Sequence, residues 1–161
     1  MGQGEFHFTY KIHQDKKSLS SQDQAILEAA TKAIESAYAP YSSFRVGVAI
    51  CTSDNEVVTG SNQENCAFPV GQCAERVALY NLIHTLGRKQ IDTLGIVADH
   101  VQQAKPASPC GSCRQMLSEY RYKQQHPIRL LLGTKNNELI YEIEDVSYLL
   151  PLSFEGFFLG Q

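Results

Sequence analysis

Apolar and polar positions change period along the chain, and the periods mark out its elements. Between residues 5 and 12 the alternation is strict: Phe6, Phe8, Tyr10 and Ile12 fall on one side, with Glu5, His7, Thr9 and Lys11 between them. A period of two predicts a short strand or an extended arm. A polar link over 13–20 follows, and Ser21 with Gln24 matches the spacing of a capping box. Behind it Ile26, Ala30, Ala33, Ile34 and Ala37 recur at helical spacing, and Pro40 stops the helix. Strands are expected at 46–52 and 56–60, joined through Ser53-Asp54-Asn55 as a hairpin. A polar loop over 61–72 leads into a second helix from about Cys73 to Leu86, with Gly87 as its C-cap. The nearly continuous apolar run 91–98 predicts a buried central strand, and 99–109 a loop. A third helix starts near Cys110 and must end before Pro127. Strands at 128–132 and 139–143 flank a turn at Asn136-Asn137, and a last helical turn over 146–150 ends at Pro151.

Strands that alternate with helices in the second half predict an α/β fold: a single helix–sheet–helix sandwich with a partly parallel sheet. Strand order does not follow from this pattern. A length of 161 residues suits one domain with a sizeable core. Hydrophobic residues at 43% and charged residues at 19% exclude a disordered chain and a coiled coil. With 14 basic and 17 acidic residues the net charge is −3, so the basic footprint of a polynucleotide-binding protein is missing. No run approaches the roughly 18 apolar residues that span a bilayer. The first residues lack the basic region and apolar core of a secretory signal, and Phe6 stands where myristoylation requires Ser or Thr. A cytoplasmic location is therefore expected, where thiols stay reduced.

That expectation gives weight to the five cysteines, an odd number that cannot all pair. Cys73 opens the second helix, and Cys110 and Cys113 open the third. Helix N-termini carry free N–H groups and partial positive charge, which stabilise thiolates, the metal-binding form. Three soft ligands on two helix starts suit tetrahedral Zn²⁺. No fourth Cys or His stands at a comparable spacing: His84 lies deep in its helix, and His100 and His126 have no partner motif. Three protein ligands and one open position make a catalytic rather than a structural zinc site. Glu75 can reach the same place if Cys73 occupies the cap, and an acid beside an open zinc position is a proton shuttle for water. Three thiolates cancel the charge of the metal, and Arg76 is placed to donate hydrogen bonds to the sulfurs and draw charge back.

Plainer readings compete. Cys110-Gly111-Ser112-Cys113 after Pro109 also fits a thioredoxin-like redox pair, although that reading leaves Cys73-Ala74-Glu75-Arg76 unexplained. Glu75 alone complements a helix dipole. Cys51, in a strand, reads as a small buried hydrophobe, and Cys66 as a bystander.

Cys73-Ala74-Glu75-Arg76 followed by Pro109-Cys110-Gly111-Ser112-Cys113-Arg114-Gln115 resembles the zinc signature of the small, homotetrameric cytidine deaminases. Tyr38-Ala39-Pro40-Tyr41-Ser42-Ser43-Phe44 with Val46-Gly47, the Asn62-Gln63-Glu64-Asn65 segment, and Leu150-Pro151 with Phe154 resemble further motifs of that family in the same order, over about residues 20–156. The resemblance implies a five-stranded mixed sheet, with residues 1–19 as an additional arm or strand and 20–161 as the catalytic domain. It implies one Zn²⁺ per chain on Cys73, Cys110 and Cys113, and Glu75 as the catalytic acid and base. It implies that Phe44 packs beside the pyrimidine, that Asn62 and Glu64 hydrogen-bond the ribose, and that the Ala74 N–H meets the base carbonyl. Phe154 would come from a neighbouring subunit of a homotetramer and stack on the base.

The implied reaction is hydrolytic deamination of cytidine and 2′-deoxycytidine to the uridines with release of ammonia, in pyrimidine salvage. The partner would be a small neutral nucleoside, with no polynucleotide and no membrane. Competing readings are a deaminase of a related nucleoside such as blasticidin S, and a non-catalytic zinc or redox domain. Three departures stand out. Gln63 replaces an apolar residue and should matter little, since it alternates away from Asn62 and Glu64; Phe68 replaces a common Tyr; Arg45 replaces a common Pro and is assigned no role.

Overall fold

The computed structural model describes residues 2–99, 105–136 and 138–160. One mixed sheet organises them, built from β1 (Lys11–His13), β2 (Arg45–Thr52), β3 (Val57–Ser61), β4 (Ile91–Asp99), β5 (Arg129–Thr134) and β6 (Ile140–Ile143). The order is β1-β6-β5-β4-β2-β3, and only β4 and β5 are parallel. Three helices pack on it: α1 (Ser21–Ala33), α2 (Ala74–Leu86) and α3 (Gly111–Gln124). The five expected strands are present, and the arm adds a sixth at the edge. Of the expected loop over 99–109, residues 100–104, including His100, lie outside the described residues, as does Asn137 of the expected turn.

The period of two in the central strands divides the core. Val48, Ile50, Leu94, Ile96, Leu130 and Leu132 face α2 and α3, whereas Ala49, Cys51, Val97 and Leu131 face α1. The α1 side of β2 is therefore made of small residues, Gly47, Ala49 and Cys51, and the helix comes close. A Cβ on Gly47 would run into the carbonyl oxygen of Ala30 and lie 2.8 Å from the backbone nitrogen of Ile34. On the opposite face a Cβ on Gly60 would lie 2.7 Å from the Cα of Ala78 in α2. Cys51 is thus the small buried hydrophobe expected of it, 2% exposed.

Helix boundaries follow capping chemistry, with one change from the expectation. Ser20, not Ser21, caps α1, its hydroxyl accepting the N–H of Asp23 at 3.1 Å. Gln24 reaches back to the carbonyl of Leu19 at 3.0 Å instead of completing a capping box. The helix also ends before Pro40, tightening into a 3-10 turn at Ile34–Ser36. Arg45, which had no expected role, donates to the carbonyls of Ile34 (2.7 Å) and Glu35 (3.0 Å) and satisfies that helix end. α2 ends at Gly87 with φ +76°, a conformation that favours glycine.

The arm is only partly a strand. Lys11–His13 pair antiparallel with β6, while residues 2–10 carry no regular structure. Tyr10 lies 5.1 Å from Tyr141 and Phe8 6.0 Å from Tyr148, ring centre to ring centre. Glu142 pins the arm by accepting from Lys11 (3.1 Å) and His13 (2.9 Å). Burial opposes the charge on Glu142, but the His13 and Lys11 hydrogen bonds win and hold its carboxyl below the usual range.

Because the two nearest contacts of a Gly47 side chain would be backbone atoms, of Ala30 in α1 and of Ile34 just beyond it, no rotamer change relieves the clash. Gly47→Ala is expected to destabilise the fold by about 3 kcal/mol, the upper range for overpacking. For a domain of this size that lowers the melting temperature by roughly 6–12 °C, read by calorimetry.

Candidate active site

The topology brings α2 and α3 to one place. β3 and β4 each run antiparallel to β2, so they point the same way, and the chain leaves both at the same end of the strands before each helix begins. Each helix has a cysteine as its N-cap, Cys73 for α2 and Cys110 for α3, and neither cap makes a side-chain capping bond. The two helix starts therefore face each other with sulfur. Cys113, one turn into α3, is fully buried behind them. The Sγ atoms of Cys73, Cys110 and Cys113 all lie within 4.8 Å of one another. Among the described residues this is the one cluster of three or more His, Cys, Asp or Glu placed to hold a metal ion.

The separations fit zinc. Bonds of about 2.3 Å to sulfur in a tetrahedron set neighbouring sulfurs about 3.8 Å apart, and Cys73 and Cys110 are 3.8 Å apart. The protonation pattern fits a cation as well. A hydrogen bond with Cys113, and further ones with Cys110 and Arg76, hold the Cys73 thiol down to about 5 despite burial. The same bond and the burial of Cys113 push the Cys113 thiol up. The three sulfurs thus do not ionise equally easily, and a dication is what lets all three become thiolates.

Glu75 completes the cluster. It sits in the first turn of α2 and is 6% exposed. Burial pushes its carboxyl up, and the Cys73 charge adds to the effect, while a hydrogen bond with Cys113 works the other way. The carboxyl is thus held against the sulfurs in a dry place, with a raised affinity for a proton. Arg76 turns toward the same sulfurs: burial works against its charge, but Cys73 holds its proton more firmly. Its Nε is buried without a partner. Ala74 is buried, and its N–H, the first of α2, has no acceptor within the helix.

Cys73 and Arg76 open on a cavity of about 510 Å³ whose other walls include Tyr41, Asn62, Glu64 and Phe68. The segment 61–64 is held extended across it: the Gln63 backbone bonds Gln72 in both directions (2.9 and 2.8 Å), and the Glu64 N–H donates to Tyr38 (2.8 Å). Gln63 lines the same cavity, and its side chain is not idle. It donates to Ser36 O (3.0 Å) and Ser61 Oγ (3.2 Å), tying the segment to the end of α1.

Asn62 and Glu64 reach the cavity wall already bonded within the chain. Asn62 accepts from the Val46 N–H (2.8 Å) and donates to the Phe44 carbonyl (2.8 Å), holding the backbone around Phe44. Glu64 accepts from the Tyr41 N–H (2.9 Å), the Ser42 N–H (3.3 Å) and the Ser42 hydroxyl, which hold its carboxyl below the usual range. Ser42 had no expected role; its signal was present in the Tyr-Ser-Ser-Phe segment but not its partner. The Phe44 ring lines a second cavity, of about 500 Å³, together with Phe8, Tyr10, Ser108 and Tyr141. Phe68 is 74% exposed at the mouth of the first cavity, edge-on to Tyr41 at 6.0 Å. Phe154 is exposed, and its carbonyl accepts from Gln115 of α3 at 2.6 Å. Cys66 is exposed and outside the sulfur cluster, and all five cysteines are free thiols.

The comparisons agree with this geometry. Residues 20–126, more than half of the chain, match the family model of the cytidine and deoxycytidylate deaminase zinc-binding region. The chain belongs to that deaminase family. A cytidine deaminase of Halalkalibacterium halodurans is 40% identical over 131 residues, 81% of this chain and 92% of the relative. The crystal structure of a cytidine deaminase from Burkholderia pseudomallei superposes with a TM-score of 0.71 at 34% identity, covering 81% of this chain and 97% of that one. A blasticidin-S deaminase of Bacillus cereus is 30% identical over 142 residues, 85% of this chain and 95% of the relative. The deaminase reading of the cysteines thus prevails over the redox one, and Zn²⁺ is the metal that the cluster and the family region both fit.

Removal of the metal tests the site directly. In the chelated protein at pH 6, Cys73 is expected to be mainly thiolate, because its pKa of about 5 lies below that pH. Iodoacetamide should then alkylate it well before Cys66. The rate should fall as the pH drops through about 5, where the thiolate is lost. Zinc-loaded protein should be protected. Peptide mass mapping reads all three outcomes.

Proposed function

We infer that the chain deaminates cytidine to uridine, with Glu75 as the proton carrier at a zinc ion held by Cys73, Cys110 and Cys113. The observation that carries this reading is the buried Glu75 carboxyl held against three sulfurs within 4.8 Å of one another, at the end of a cavity of nucleoside size. When bound there, zinc supplies the Lewis acidity that makes a water molecule nucleophilic at neutral pH. The chain's own residues do the rest. Glu75, its proton affinity raised by burial, takes the proton of the attacking water and delivers it to N3 of the base. It then carries a proton to the amino group on C4, which leaves as ammonia; water and cytidine thus balance uridine and ammonia. Arg76, drawn to the sulfurs, offsets the negative charge that three thiolates place around the metal.

The remaining assignments belong to the same proposal. Asn62 and Glu64 face the cavity and would offer hydrogen bonds to the ribose, with the Ala74 N–H at the base carbonyl. Phe44 lines the second cavity, not this one, and would approach the pyrimidine from that side. 2′-Deoxycytidine would be accepted as well, in pyrimidine salvage in the cytoplasm. No described helix is long and apolar enough to cross a membrane. The chain would divide into an arm, 1–19, and a catalytic domain, 20–161; a family match over residues 20–126 supports the first boundary. The assembly would be a homotetramer in which Phe154, exposed on its own chain, reaches a neighbour's site. With stacking of about 1–3 kcal/mol at stake per base, exposure of such a ring on one chain supports a role across an interface.

The zinc-loaded protein is expected to abolish the cytidine absorbance band, and a parallel assay on blasticidin S decides between that substrate and the plain nucleoside. Glu75→Gln should keep one zinc per chain while its kcat falls at least about 100-fold, the usual contribution of a proton carrier. Retained turnover would remove Glu75 from the role. For the assembly, Phe154→Ala chains mixed and refolded with Glu75→Gln chains should turn over cytidine faster than the two separate pools together. No recovery would place Phe154 in its own chain's site.

A further inference from the structure

Arg114 and Gln115 follow the last zinc cysteine directly, and the catalytic reading leaves both without work. Residues 114, 118 and 121 form one stripe along α3 at helical spacing. Each rung holds the returning C-terminal segment. Arg121 Nε donates to Asp145 Oδ2 at 2.8 Å, Ser118 Oγ meets Ser153 Oγ at 3.0 Å, and Arg114 Nη1 donates to the Leu149 carbonyl at 3.2 Å. Gln115, beside the stripe, adds its bond to the Phe154 carbonyl.

Arg114 differs from the other rungs because it also reaches backward. Its Nε donates to the Pro109 carbonyl at 2.8 Å and its Nη2 to the Ser108 hydroxyl at 3.1 Å. One planar guanidinium thus ties the approach to Cys110 to the turn at Leu149. Cys110 needs such an anchor. It is exposed, it caps α3 without a side-chain bond, and the residue before it is a proline with no N–H to pin. We propose that Arg114 is a positioning residue for the metal site: it fixes the Ser108–Pro109 approach against the C-terminal segment and so holds the Cys110 sulfur in register with Cys73 and Cys113. The inference rests on the reading of these three cysteines as the zinc ligands. A lysine keeps the charge but has no rigid fork to meet three acceptors at once.

The test is the rate at which a chromogenic chelator strips zinc from the loaded protein, with melting temperature and cytidine turnover measured on the same samples. Arg114→Gln should release zinc at least about 10-fold faster than the parent, as loss of a group supporting a metal ligand does. Arg114→Lys should fall in between. Arg121→Gln, which breaks a tie of the same stripe remote from the cysteines, should lower the melting temperature yet release zinc at the parent rate. The proposal is overturned if either Arg114 variant releases zinc at the parent rate, or if Arg121→Gln speeds release as much as Arg114→Gln. Should Arg114→Gln fail to fold, Arg114→Lys decides. Failure of the functional reading looks different: the parent protein then holds no zinc, which overturns both, or holds zinc without turning over cytidine, in which case the release rates still judge Arg114.

Discussion

The rest of the structure depends on two helix N-termini aimed at each other with a cysteine as the cap of each. A helix start offers unpaired N–H groups and partial positive charge, and both favour sulfur as thiolate. Three thiolates in one place nevertheless repel. The shared hydrogen bond pulls the pKa values of the two thiols apart, Cys73 down and the buried Cys113 up. A divalent cation removes the conflict altogether, so the geometry of the cluster and the demand for a metal are two sides of one arrangement. The Glu75 carboxyl, buried two residues from the Cys73 cap, is raised by the environment that the core and the sulfurs create.

The sheet makes that meeting possible. The strand directions send the chain out of β3 and β4 at one end of the sheet's strands, and each exit leads into a helix whose first residues carry the chemistry. Close approach of α1 and α2 to the two faces requires strand positions without side chains, which Gly47 and Gly60 supply. The N-terminal arm is added at the far edge, beyond β6, and its attachment is electrostatic and aromatic: Glu142 between Lys11 and His13, and rings against Tyr141 and Tyr148.

Much of this was legible in the amino-acid order. The cysteine caps, Glu75 in the first turn and Gly87 at the helix end are local features, and the strand periods gave the core faces. Other features were not. Ser20 caps α1 where Ser21 was expected, because one residue of register along a polar link is invisible to hydrophobic spacing. Arg45 and Gln63 read as departures without function, yet both tie loops to the end of α1. Ser42 holds Glu64 across 22 positions, and Asn62 holds the Phe44 backbone across 18. Such bonds depend on which loops meet, which no short window contains.

The division is physical. By itself the sequence determined the helices, the cysteine caps, the strand faces and the three candidate sulfur ligands, because capping, side-chain period and ligand chemistry act over a few neighbouring residues. Only the tertiary structure decided that the two helix starts meet at one end of the strands, that Glu75 is buried against the sulfurs, and that Phe44 and Asn62 face separate cavities. Those facts follow from strand order and from contacts between distant segments, where burial and long-range hydrogen bonds set the outcome.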